Sequence, residues 1–408
     1  MVYIGMLRKD KTVMICFLIL LAAFAVRFGY ILTRPVVPLW PDEFYYLEAS
    51  QNLYSGEGYR VHDAPTAYHP VGYSLFLSLL HFAGFDSVFA FQVAQVFAFL
   101  LLLFVLYRFC RILFDERVAL VAIFLGAFYP YWIFTPARLL PTTLFTLFLL
   151  LATFFLYKKK VNRSQVNAVL AGLFFGISVL MKSTALIVFV SALIWYVFAS
   201  RERTRQRLTT ITILMTLVVV VLAPWLYRNS LVFGKPLLGT NFGYNLWLGS
   251  HADANLHSSV NQRAIPESLQ KQLSQALNEA ERDRIFSRAA LREITRSPGE
   301  AFLGVLKKSV YFWRPDPSPT TSKHFHSMSL RWISILSVTP LLVFALLGFY
   351  SALRNDNTDL YLLVIYIVMF TLVHALFFPK VRFRLPVEIY LFMPAAYFIK
   401  VHYSRLRI

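Results

Sequence analysis

The sequence predicts an all-α polytopic membrane protein with about ten transmembrane helices. Three observations carry this. The 408 residues are 58% hydrophobic and 17% aromatic with only 15% charged. Mean hydropathy is +0.58, outside the balance of a soluble domain. Apolar runs of about 20 residues, the length a helix needs to cross about 30 Å of hydrocarbon, recur from end to end.

In order, the runs are 12–30, 87–110, 118–135, 139–157, 166–181, 184–199, 208–227, 330–353, 360–378 and 385–401. The first follows a basic start, Arg8, Lys9 and Lys11, as a signal peptide would. It is longer than an h-region of about 7–15 residues and no small-x-small cleavage site ends it, so it reads as an anchor. The chain then divides into 1–32, the cytoplasmic N-terminus and first span; 33–86, a long polar loop; and 87–227, spans two to seven. Segment 228–328 is a second long loop, and 329–408 holds the last three spans and a cytoplasmic C-terminus.

Charge gives the orientation. With the N-terminus cytoplasmic, the alternating inner loops hold Arg108, Arg111 and Arg117, then Lys158, Lys159, Lys160 and Arg163. They continue with Arg201, Arg203, Arg205 and Arg207, then Arg354, and last Lys400, Arg405 and Arg407. Every cluster falls on one side, as the positive-inside rule requires. The net charge of +19 is largely used by these loops, which excludes nucleic acid as a partner. Cys16 and Cys110 lie in or at the end of spans, so no disulfide and no Cys metal site is expected in the outer loops.

The two long loops are thereby placed outside, and loops of that length are seldom mere connectors. In the first, Pro41 opens a helix-like stretch with Phe44, Leu47 and Tyr54 roughly on one face, closed by Gly56 and Gly58. It reads as an interfacial helix. Segment 68–85 is apolar but short, and a crossing there would invert the charge alternation, so it reads as a second interfacial or re-entrant helix. In the second loop, 267–300 is charged with helical period, an amphipathic cover helix. No internal repeat is visible.

Asp42 and Glu43 stand in the first turn of the first loop helix, where acids complement the helix dipole by about 0.3–1 kcal/mol. Their company suggests chemistry as well. Arg138, Lys182, Arg228, Lys380, Arg382 and Arg384 all occur at outer ends of spans, where topology does not call for them. Each alone snorkels readily to the headgroups. Together they point to an anionic ligand at the membrane surface, a lipid phosphate. His251, and the His324 and His326 pair, lack a third ligand, so no metal site is assigned.

"DEFYYLEASQNLYSGEGY", "HPVGYSLFLSLL", "LMKSTALIV", "APWLYRNSLVFGKPLLGTNFGYNLWLGS", "ERDRIFSRAALREITRSPGEAFLGVLKKSVYFW" and "FPKVRFRLPVEIYLFMPAAYFI", in that order, resemble the lipid-dependent membrane glycosyltransferases of GT-C type. The likeness is to the group related to protein O-mannosyltransferases and lipid A aminoarabinose transferases. It implies a GT-C-like fold, a polyprenyl-phosphate sugar donor, and transfer outside the cytoplasmic membrane of a bacterium or archaeon to a glycolipid, glycan or protein acceptor. It implies catalytic roles for Asp42, as general base or acceptor-orienting carboxylate, and for Glu43 beside it. Arg138, Lys182, Arg228, Arg382 and Arg384 are then the candidates for the donor phosphate, and Tyr45, His69 and Tyr244 for other substrate contacts.

The chain departs from the aminoarabinose transferases at Tyr68 and His69, where those carry an acid and a Lys before Pro. His69 is therefore read either as a phosphate donor or as a turn residue beside Pro70. No cofactor requirement is visible, and a divalent metal is left open. Many relatives add a soluble outer domain, so an acceptor held by the loops or reached from the membrane is expected, which favours a glycolipid or envelope polysaccharide. The competing readings are a polysaccharide polymerase or ligase, and a lipid-linked sugar transporter or flippase, which would place its charges near the midplane.

Overall fold

The computed structural model describes residues 2–33, 40–250, 265–316 and 328–405. Each of the ten apolar runs is built around a helix. The first is α1 (Val2–Leu32), and the polar loop after it folds into α2 (Pro41–Tyr54), a two-residue ribbon of β1 (Arg60–Val61) and β2 (Ala64–Pro65), and α3 (Gly72–Phe82). The ribbon is antiparallel, pairing Arg60 with Pro65 and Val61 with Ala64. The bundle continues with α4 (Val88–Leu113), α5 (Glu116–Phe128), α6 (Pro130–Phe134), α7 (Thr142–Asn162), α8 (Gln165–Met181), α9 (Ala185–Ala199) and α10 (Thr204–Phe233).

The second loop holds α11 (Phe242–Ser250), α12 (Glu267–Ser274), α13 (Glu279–Arg296) and α14 (Pro298–Phe312). The chain closes with α15 (Met328–Arg354), α16 (Tyr361–Leu376) and α17 (Val381–Arg405). Expected helices at the start of the first loop and across 267–300 are thus present, the latter broken into three pieces, at 275–278 and at Ser297–Pro298. His251, His324 and His326 lie outside the described residues.

By length and composition, five described helices can cross a membrane, or six if α5 and the segment Pro130–Ala137, bent by 62°, count as one span. This is fewer than the expected ten. The runs at 166–181 and 184–199 give α8 and α9, of only 17 and 15 residues. The last run gives α17, interrupted by Pro386 and Pro394.

Close packing in the bundle depends on small residues, since lipid supplies no hydrophobic drive between helices. A Cβ at Gly176 of α8 would lie 2.7 Å from Val221 Cβ of α10. A Cβ at Gly348 of α15 would collide with the Pro394 carbonyl of α17. At the first loop, Gly72 brings α3 against the last turn of α8, where a Cβ would lie 2.6 Å from Leu180 O. That contact sets the first loop directly beside the α8–α9 turn. The second loop packs around its own small core of Leu246, Trp247, Leu269, Leu273, Phe286 and Ala290.

Candidate active site

Proline at the first position of α2 needs no amide partner there, so Pro41 starts the helix after Trp40, whose backbone is extended. Glu43, two residues on, reaches back to accept the Trp40 amide at 2.9 Å. Its other oxygen accepts the Leu139 amide at 2.8 Å, and the Arg138 guanidinium forms an ion pair with the oxygen that holds the Trp40 amide. Arg138 lies 4.5 Å above the Trp40 ring. With side chains only 2% and 8% exposed, Glu43 and Arg138 are occupied by each other and by the backbone.

Asp42 points elsewhere, as a neighbour about 100° away round a helix must. It pairs with Arg382 of α17 at 2.7 Å, and here the side chains are 33% and 27% exposed, open enough for a ligand to reach. Lys380 directly precedes α17, and Lys182 sits in the α8–α9 turn with extended backbone. The Lys182 ammonium lies 4.2 Å from the centre of the Phe383 ring. His69, from the loop before α3, stacks on Tyr46 at 5.1 Å and meets Tyr45 edge-on at 5.0 Å. The Asn241 amide stands 3.4 Å from its Nδ1.

The electrostatics bind these groups into one cluster. Burial would raise the Asp42 carboxyl, but Arg382, His69 and Lys380 hold it below the usual carboxylate range. Burial first, and then Arg382, push both Lys182 and Lys380 down to about 7. Burial takes His69 down to about 4, so it is a neutral imidazole at pH 7. Asp42 and His69 are the metal-type donors of the cluster, and with Lys182, Lys380 and Arg382 alongside, the set suits an anion better than a divalent cation. Among the described residues no three His, Cys, Asp or Glu converge.

The structure therefore brings together Asp42, Lys182, Arg382 and His69, and adds Lys380. It places the remaining candidates in supporting positions. Arg228 of α10 donates to the Thr66 and Tyr59 carbonyls at 2.7 and 2.6 Å, bracing the loop that carries His69. Tyr45 supports the same loop through its hydroxyl contact with Thr66 at 3.0 Å. Tyr244 packs on Phe286 at 5.1 Å within the second loop. Arg384 is buried, ion-paired to Glu388 and donating to the Phe312 and Arg314 carbonyls at 3.1 and 2.9 Å.

Three members of the site escape sequence reasoning. Tyr46 and Asn241 carry no local signal beyond polarity. Glu279, at the start of α13, accepts from the Thr66 hydroxyl at 3.0 Å and from the Ala67 amide. Its segment reads in sequence only as a cover helix.

The structure is a multispanning helical bundle with a carboxylate and several cations gathered where two loops meet a span end, a charge arrangement suited to an anion. Residues 68–227 match the family described as dolichyl-phosphate-mannose-protein mannosyltransferase. The fold is similar to that of the oligosaccharyltransferase of Archaeoglobus fulgidus in the apo form, with a TM-score of 0.59 at 12% identity over 97% of this chain and 51% of that one. It is also similar to the archaeal oligosaccharyltransferase AglB from Archaeoglobus fulgidus in complex with an inhibitory peptide and a dolichol-phosphate. There the TM-score is 0.55 at 13% identity, covering 98% of this chain and 51% of that one. The chain spans about half the length of these proteins. No curated protein matches it in sequence. The likeness is one of fold, and it agrees with the GT-C resemblance carried by the sequence motifs.

Proposed function

We propose that the protein is a glycosyltransferase that moves a sugar from a polyprenyl-phosphate donor to an acceptor on the extracytoplasmic face of the cytoplasmic membrane. The observation that carries this is the half-open Asp42–Arg382 pair with Lys182 and Lys380 beside it. In such a transfer an acceptor hydroxyl oxygen bonds to the anomeric carbon while the bond from that carbon to the lipid phosphate breaks. The electron pair leaves with the phosphate, whose charge is taken up by Lys182, Lys380 and Arg382, fixed cations in a low-dielectric site. The hydroxyl proton passes to Asp42.

Arg382 makes Asp42 a weak base in the free protein. A bound phosphate shares the guanidinium and offsets that pull, so the carboxylate becomes more basic when donor is present. His69, neutral and held by Tyr46 and Asn241, is placed to orient the sugar or the hydroxyl. Family similarity over 68–227 and the oligosaccharyltransferase-like fold support the same reading.

The test is sugar transfer from synthetic polyprenyl-phosphate sugars by purified protein in nanodiscs supplemented with envelope extract. Asp42→Asn is expected to lower transfer by about 10²-fold or more at unchanged melting temperature. Glu43→Gln should instead melt early, because it opens the buried pair with Arg138, a loss of about 3–5 kcal/mol. Near wild-type transfer by Asp42→Asn would reduce that carboxylate to a helix-start residue and remove the proposal.

A further inference from the structure

Helix α13 has two unlike faces. One is built into the site: Glu279 holds Thr66 and Ala67 of the loop bearing His69, and Asp283 accepts the Gly243 amide at 2.7 Å and the Tyr244 amide at 3.3 Å. The other face carries Arg284, Arg288, Arg292 and Arg296 at intervals of four residues, all exposed. At 1.5 Å per residue these stand about 6 Å apart along the helix and form a ladder about 18 Å long. None of their side chains makes an ion pair or hydrogen bond among the described residues. The nearby acid Glu281 is turned to the Leu277 amide, which it accepts at 2.9 Å.

A helix that needed arginine only for solubility would gain more from i, i+4 pairs of opposite sign, because like charges at that spacing repel. The repulsion is relieved when a chain of negative charges lies along the ladder. The face is unsuited to lying in a bilayer, since Leu291 is its one exposed large apolar residue. Exposed apolar surface is found instead on the next helix, α14, at Phe302, Leu303, Leu306 and Val310.

We propose that the arginine ladder of α13 is the docking surface for the acceptor, and that the acceptor is an anionic saccharide chain bearing repeated phosphate or carboxylate groups. The proposal rests on reading the Asp42 cluster as the transfer site, since α13 is pinned to the loop that carries His69. The ladder takes the anionic chain; the cluster takes its hydroxyl.

The experiment measures binding of a fluorescent heparin oligosaccharide, a polyanionic saccharide probe, to the full chain in neutral phosphatidylcholine nanodiscs at low salt. Arg288→Gln/Arg292→Gln is expected to weaken binding by about tenfold or more. Arg201→Gln/Arg203→Gln/Arg205→Gln, which removes exposed cations from the loop before α10 and from its first turn, should leave it unchanged, and neutral dextran should not bind. Unchanged affinity in the α13 variant, or equal loss in the control variant, overturns the proposal. So does loss of probe binding when phosphatidylglycerol is added to the nanodisc, because the ladder would then be a lipid contact. Hydrolysis of a polyprenyl-phosphate sugar by water, with no acceptor present, is measured in parallel on the wild-type protein. Binding through α13 without any donor turnover sinks the transferase reading and leaves the docking surface standing.

Discussion

Asp42 and Glu43 are adjacent acids with different fates, one half-open against Arg382 and one sealed against Arg138. The lysines across from Asp42 make the cluster sensitive to pH. Lys182 and Lys380, both brought down to about 7, lose charge as pH rises through that value in the free protein. A bound phosphate favours their protonated forms, so donor binding takes up protons and affinity must fall as pH climbs past about 7. Titrating donor affinity across that range should show the decline, with a flatter profile in Lys182→Arg, whose guanidinium stays charged. A donor affinity that rises with pH would show that these lysines do not face the phosphate.

Among the elements, the break between α5 and α6 shows how a buried charge sustains a bundle. Ending α5 at Phe128, ahead of Pro130, leaves carbonyls of its last turn without helical partners, and hydrocarbon offers no water to satisfy them. Arg27 of α1, fully buried, donates to Ala127 O at 2.9 Å, Gly126 O at 3.4 Å and Trp132 O at 3.0 Å, across the bend. Its guanidinium lies 3.8 Å from the Phe99 ring centre. Arg27→Met should leave those acceptors orphaned and cost about 1–3 kcal/mol for each group lost. Thermal melting in detergent is expected to shift down accordingly, with Arg27→Lys recovering part of the loss; an unshifted melt would mean that other groups cap the bend.

At the scale of the molecule, the one-sided basic loops predict α2 and α13 on one face of the membrane and the α7–α8 and α9–α10 turns on the other. Cys16 and Cys110 are buried, so single cysteines introduced at the exposed Glu57 and Arg205 can be read without background. An impermeant thiol reagent added to intact cells should label position 57 and spare position 205; the reverse pattern inverts the orientation and the side of the chemistry. Sequence made the helices and the outer cations legible, because apolar length and charge placement are properties of the chain itself. It could not separate Arg382 from Arg384. Two residues apart on α17, they point about 200° apart, and the apolar residues on both sides give no phase to decide which meets Asp42 and which turns inward to Glu388. Nor could it show that Arg138 belongs to Glu43, since that pairing depends on how α2 seats against the turn before α7.

The shortness of α8 and α9 has its own consequence. At 17 and 15 residues they reach about 25 and 22 Å, against about 30 Å of hydrocarbon. If the pair crosses, its length falls below the hydrocarbon thickness, and a bilayer meets such hydrophobic mismatch by thinning locally. On the proposed function, a bilayer thinned beside Lys182 would bring the donor's phosphate down toward the lysine. Donor use by the protein is then expected to rise in short-chain lipids and to fall in long-chain ones, a comparison that nanodiscs of graded acyl length can make.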